Sequence, residues 1–233
     1  GVTPVENYTL NTLSEQEKSL GFKLLFNGKD LTGFRSAFKT TAPPKVWTVE
    51  EGMLHVNSSG GKESGNGGDI LTNEKYGAFE FVFDFKLTEG ANSGVKYFVN
   101  ETYASGMSAI GLEYHVLDDE KHPDAKLGTV GNRTLASLYD IIPSIKNDKR
   151  FQKKIGEWNQ GRIIVYPNNI VQHWLNGFKV LEYERNSNIY KVLVAHSKHS
   201  RWDGYGAQAA GPILFQEHGD SVFYKNIKIR EIK

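Results

Sequence analysis

Residues 78–87 carry the clearest periodicity in the chain. Phe79, Phe81, Phe83, Phe85 and Leu87 fall on one face of an extended segment, and Glu80, Asp84 and Lys86 share the other with Val82. Side chains alternate between faces along a strand, so this segment predicts a strand with one core face and one wet face, as in an antiparallel sheet. The same reading predicts strands over residues 22–26, 95–99, 111–117 and 138–142, and a hairpin of 46–49 with 53–56 around Glu50-Glu-Gly52. Residues 162–166, 170–175 and 178–183 form a meander whose second turn is Asn176-Gly177, a strong hairpin signal. Two last strands, 213–218 and 222–232, meet at Gly219-Asp220, and Leu214, Gln216 and His218 share a face. One helix is expected: Ser14-Glu-Gln-Glu17 is a capping box, with a stop at Gly21. Residues 1–10 read as a loose arm, 58–68 as a mobile loop and 186–210 as a long excursion carrying His196, His199 and Trp202. Roughly a dozen strands and one helix predict an all-β, two-sheet antiparallel sandwich. The expected division is an arm and short helix over 1–20 and a single β-sandwich domain over 21–233.

Composition narrows the function classes. The 28 Lys and Arg balance 27 Asp and Glu, which argues against nucleic acid as the main partner. No apolar run is long enough for a transmembrane helix. There is no cysteine, hence no disulfide framework and no thiolate nucleophile or ligand. Glycine-rich phosphate loops, His-Glu-x-x-His pairs and Gly-x-Ser-x-Gly elbows are missing, which removes nucleotide, zincin and serine-hydrolase readings. His196 and His199 stand three apart, but on a loop that spacing reads as polar loop content rather than a metal pair.

The chemistry gathers in Gly111-Leu-Glu-Tyr-His-Val-Leu-Asp-Asp119. On a strand, Glu113 and His115 point one way, about 7 Å apart along the face, while Leu112, Tyr114 and Val116 point to the core. Asp118 and Asp119 follow at the strand end. An acid and a base side by side suit sugar chemistry or a metal; the same pattern also fits a solvated strand face. Trp47 fits a sugar platform or, more commonly, a core position.

Eight segments in order resemble the family named for 3-keto-disaccharide hydrolase. They are 21–33, the 47–54 hairpin, Asn92-Ser-Gly-Val-Lys-Tyr97, 111–119, Gly156-Glu-Trp-Asn159, Trp174-Leu-Asn-Gly177, Gly211-Pro-Ile-Leu-Phe-Gln-Glu-His-Gly219 and 222–229. The resemblance implies a concanavalin A-like jelly roll, a periplasmic or secreted location, and a glycoside substrate already oxidised at C3 by a separate sugar dehydrogenase. Many members carry Gln where this chain has His115, and only His titrates near neutral pH.

A C3 ketone acidifies the C2 proton, so the implied reaction is proton abstraction, enolate formation and loss of the C1 substituent, with water adding afterwards. The expected catalytic residues are His115 or Glu113 as base, Lys96 or a divalent cation at the enolate oxygen, and Glu113, His218 or Asp118 as proton donor to the leaving oxygen. Asn92, Gln216, His218, Trp47 and Trp202 are the expected substrate contacts. Two alternatives stay open: an ordinary glycosidase, which needs two carboxyl groups flanking one bond, and a carbohydrate-binding module without turnover.

Overall fold

The computed structural model describes residues 9–60, 62–65, 67–106 and 108–233. The loose arm expected over 1–10 therefore lies outside the described residues except at Thr9 and Leu10. Helix α1 (Glu15–Ser19) closes the expected capping box: Glu17 N–H donates to Ser14 Oγ at 3.1 Å and Ser14 N–H donates to Glu17 Oε1 at 3.0 Å. The strands are β1 (Lys23–Leu24), β2 (Phe34–Ser36), β3 (Trp47–Glu50), β4 (Met53–Val56), β5 (Ile70–Thr72), β6 (Phe79–Leu87), β7 (Asn92–Ser105), β8 (Ser108–Leu117), β9 (Trp158–Val165), β10 (Ile170–Leu175), β11 (Phe178–Glu184), β12 (Leu214–Phe215) and β13 (Val222–Glu231). Helix α2 (Asn188–Ala195) lies between β11 and β12.

Two antiparallel sheets stack face to face. The larger runs β11-β10-β9-β6-β13-β4-β3, with β1 paired to β13; the smaller runs β2-β5-β12-β7-β8. The apolar faces read from the sequence meet between them. Phe83 of β6 packs edge-on against Tyr114 of β8 at 5.2 Å, and Phe79 against Tyr97 of β7 at 6.2 Å. Leu112, Tyr114 and Val116 are buried in this core, so Glu113 and His115 project from the opposite face of the small sheet. The architecture is the two-sheet antiparallel sandwich expected from the strand pattern, and the jelly roll that the resemblance implies.

Three expectations are corrected. Residues 138–142 form a tight turn and not a strand: Leu138 bridges back to Ile142, and Asp140 sits at φ 64° between them. Its apolar residues plug the core, which imitates a buried strand in sequence. The 186–210 excursion holds a second helix, α2, capped by Ser187. Its Ile189, Val192 and Val194 are β-branched and mask the helical signal. Trp47 belongs to the core: it is 3% exposed and donates its indole N–H to the Gly68 carbonyl at 3.1 Å, so it offers no ring face to a sugar. The loop expected over 58–68 is described except at Gly61 and Asn66.

Candidate active site

β8 forms one edge of the small sheet, and its outward-facing side chains meet those of β7. Lys96 stands directly opposite Glu113, and Gly94 opposite His115. The free edge of β8 is covered by the 120–145 segment, whose backbone takes up the strand's unpaired groups: Ala136 N–H donates to the His115 carbonyl at 2.8 Å and Tyr139 N–H to the Glu113 carbonyl at 3.0 Å. The 186–210 excursion folds over the same strand and is pinned there by Tyr205, whose hydroxyl donates to the Gly111 carbonyl at 2.7 Å. These two segments wall a pocket over the outward faces of β7 and β8 that is partly open to solvent.

Glu113, His115, Lys96, Asn92, Gln216, His218 and Trp202 all line this pocket, so most of the residues singled out in the sequence come together. Asp118 does not. Its carboxylate accepts the backbone N–H of Gly90 (2.8 Å), Glu120 (3.1 Å) and Lys121 (3.2 Å), which ties the β8 terminus to the turn before β7. A strand-end Asp with three backbone donors is a turn clamp, and the expected proton-donor role is withdrawn.

Glu113 is nearly enclosed, at 5% exposed, yet among the described residues its carboxyl completes no hydrogen bond. Its oxygens stop 3.9 Å from Lys96 Nζ and 3.9 Å from His115 Nε2. Burial pushes its pKa up to about 7 despite the opposing pull of Lys96 and Lys198. The space it needs exists because residue 94 is glycine: a Cβ there would come within 2.9 Å of Glu113 Cδ.

His115 is held differently. Nδ1 lies 2.7 Å from the Arg133 carbonyl and Nε2 3.1 Å from the Asn92 side-chain oxygen. Burial pulls its pKa down to about 3, so the ring is neutral and carries one proton. The Arg133 carbonyl can only accept, which puts that proton on Nδ1; the Asn92 carboxamide then turns its NH2 group to Nε2. Arg133 is in turn fixed by Asp140 (2.7 Å) and Asp124 (3.0 Å). Both nitrogens of His115 are thus occupied.

Sequence reading missed Glu63, Asp124, Tyr139, Lys198, His199 and Arg201, which also line the pocket. Glu63 and Tyr139 stand on turns, and Asp124, Lys198, His199 and Arg201 on single-turn 3-10 helices, where no strand periodicity marks a direction. His199 is the most informative. It is buried and stacks on Tyr205 at 4.4 Å and 4°; the Tyr139 carbonyl is near enough to pull on the imidazole, but among the described residues neither ring nitrogen completes a hydrogen bond. Burial pulls its pKa down to about 3, so it too is neutral. Gln216 Oε1 and His218 Nδ1 are likewise buried without partners, while Gln216 Nε2 donates to Glu63 at 3.1 Å. Leaving a buried polar atom unpaired costs about 1–3 kcal/mol, so these atoms need hydrogen-bonding partners, water or ligand, from the pocket. Among the described residues, no three His, Asp or Glu side chains gather closely enough to hold a metal ion.

Comparisons with known proteins identify the family of the chain. Residues 21–230 match the profile of the 3-keto-alpha-glucoside-1,2-lyase-like domain. A protein of Bacteroides thetaiotaomicron named 3-keto-disaccharide hydrolase is 36% identical over 231 aligned positions, covering 90% of this chain and 78% of that protein. A crystal structure of a candidate glycosyl hydrolase from Parabacteroides distasonis superposes with a TM-score of 0.81 at 30% identity, over 97% of this chain and 100% of that one. A second such structure from the same organism gives 0.66 at 26% identity, over 91% and 99%. With its profile match spanning nearly every strand of the sandwich, the chain belongs to the family of the 3-keto-alpha-glucoside-1,2-lyase-like domain.

Proposed function

We propose that the protein cleaves the glycosidic bond of 3-keto-glycosides, with Glu113 as the base that removes the C2 proton. The observation that carries this reading is the Glu113 carboxyl: enclosed, free of hydrogen bonds, and held near pKa 7, where a general base works best at neutral pH. The electron pair from C2 moves into the C3 carbonyl, and the enolate oxygen meets Lys96 Nζ. The C1–O bond then breaks with its electrons on the leaving oxygen, and protonated Glu113 returns the proton there, with His218 as the second donor in reach of the pocket. Water adding across the C1–C2 double bond completes a net hydrolysis. Gln216, Asn92 and His199 hold hydroxyl groups, and Trp202 covers a ring face. His115 serves as a fixed neutral hydrogen-bonding group, a role that a Gln side chain could also fill. No step is routed through a cation.

The substrate's ketone has to come from a sugar dehydrogenase acting first, and a periplasmic or secreted setting suits such a pair of enzymes. An ordinary glycosidase has one observation in its favour: Glu63 and Asp124 line the same pocket as Glu113 and offer a second carboxyl. Assaying the purified protein on paired glucosides, plain and 3-oxidised, decides between them. Release from the 3-keto member alone, lost by about 100-fold or more in Glu113→Gln, is the expected result. Equal cleavage of the plain glucoside, or full activity of the Glu113→Gln variant, overturns the reading.

A further inference from the structure

Behind Lys96 lies a second acid that the mechanism above does not use. Asp69, just before β5, is fully buried. Lys96 Nζ donates to Ser108 Oγ at 2.9 Å and to the Ala109 carbonyl at 2.9 Å, and Ser108 Oγ donates to Asp69 Oδ2 at 2.9 Å. The direction of this chain is fixed by proton count. An ammonium only donates, so Ser108 accepts from Lys96 and must spend its single proton on Asp69. The other carboxylate oxygen, Oδ1, receives the Glu217 N–H at 2.8 Å and the Ser64 hydroxyl at 3.4 Å. Donors thus converge on both oxygens, the arrangement of a carboxylate rather than a carboxylic acid. Burial raises the Asp69 pKa to about 6, which still leaves it charged at neutral pH.

Two strands, β7 and β8, and the loop that carries Asp69 therefore cooperate on one amine. Two of its three N–H groups are tethered, to Ser108 and to Ala109. The third is left facing Glu113, whose oxygen stands 3.9 Å away, too far for a hydrogen bond. We propose that Asp69 is a positioning residue: acting through Ser108, it fixes the Lys96 ammonium at the pocket wall with one N–H reserved for an oxygen of the ligand. The inference rests on the proposed function where it takes that oxygen to be the enolate oxygen; the tethering of Lys96 stands independently of it.

Asp69→Asn and Ser108→Ala in the full chain test it by two readouts. The first is trace acetylation by acetic anhydride, with Lys96 modification read by mass spectrometry against exposed Lys191. Losing a charged hydrogen-bonded partner should speed Lys96 acetylation about tenfold in both variants. The second is turnover of a 3-keto-glucoside, where kcat should fall about tenfold or more while KM stays within about threefold, since the loss concerns charge that develops after binding. Lys96 acetylation at the wild-type rate in both variants overturns the positioning role. Faster acetylation with unchanged kcat overturns its service to the reaction. A wild-type protein inert on the 3-keto-glucoside overturns the proposed function, while the acetylation still decides the tether. Should Asp69→Asn fail to fold, Ser108→Ala, which leaves the carboxylate in place, decides the positioning role by the same two readouts.

Discussion

Glu113 and Lys96 are direct partners across the β7–β8 ladder, yet their charged atoms stop 3.9 Å apart and form no hydrogen bond. Opposite charges on neighbouring strands normally close such a gap. Here Ser108 and Ala109 hold the ammonium back, while Gly94 leaves room for the carboxyl on the other side. The missing hydrogen bond is the feature on which the proposed chemistry depends, because a carboxylate hydrogen-bonded to an ammonium is a weaker base.

Glu113→Gln should lose activity and gain stability. The folded pKa of about 7 lies above the ordinary value of 4.5, so the unfolded chain releases this proton first. The cost of burying the carboxylate is small below pH 4.5, grows as pH rises and is complete above pH 7. Thermal melts should show the variant more stable than wild type at pH 8, by about 3 kcal/mol, and equal to it at about pH 4. An unchanged or lower melting temperature at pH 8 would contradict a buried charge at this position.

Gly94→Ala should fold and lose activity. The added Cβ meets Glu113 Cδ at 2.9 Å and Gln216 Oε1 at 3.1 Å, and both side chains have to give way. Displacing a base by about 1 Å costs on the order of 100-fold. A variant with native melting behaviour and native kcat would mean that the Glu113 rotamer is not critical.

His199→Phe should weaken substrate binding more than turnover. Phenylalanine keeps the stack on Tyr205 but removes both ring nitrogens. KM should rise by about tenfold, one hydrogen bond's worth in a closed site, with kcat little changed. Kinetics indistinguishable from wild type would remove His199 from the binding surface.

Three neutral buried histidines should make the protein acid-sensitive. Burial lowers His115 and His199 to about 3 and His173 to about 4, below the ordinary value of 6.5. The unfolded chain takes up these protons first, so their contribution is present above pH 6.5 and is lost as pH falls toward 3. Denaturant unfolding followed from about pH 7 to about pH 4 should show stability falling with a slope that shrinks in His199→Phe. A slope identical in the variant would mean that His199 is not held neutral.

Trp47→Ala and Asp118→Ala should damage the fold and not the affinity. Trp47 fills the core beside β4, and its loss should cost about 3–5 kcal/mol. Asp118 serves three backbone donors, and its removal leaves them unpaired. In each variant, the folded fraction should bind a 3-keto-glucoside with native KM. A raised KM at native stability would return either residue to the site.

The sequence by itself determined the sandwich and half of the pocket. Alternation is a local property: Phe79 to Leu87 commits β6 to one buried face, and Leu112, Tyr114 and Val116 force Glu113 and His115 out of the core whatever the rest of the chain does. Lys96 and Gln216 followed from the same alternation on the predicted strands 95–99 and 213–218, whereas Asn92, read in a turn, entered with the family resemblance. Tertiary structure decided the rest. The turn at 138–142 and the excursion at 186–210 take their course from distant anchors, Tyr139 N–H on the Glu113 carbonyl and the Tyr205 hydroxyl on the Gly111 carbonyl. Those contacts bring His199, Lys198 and Tyr139 over β8, enclose Glu113 and raise its pKa. They also separate Trp47, sealed beneath a neighbouring loop, from Trp202, left half-buried at the pocket wall. Two-residue periodicity tells which way a strand residue points; what packs against that side, and how much water remains there, depends on chain segments dozens of residues away.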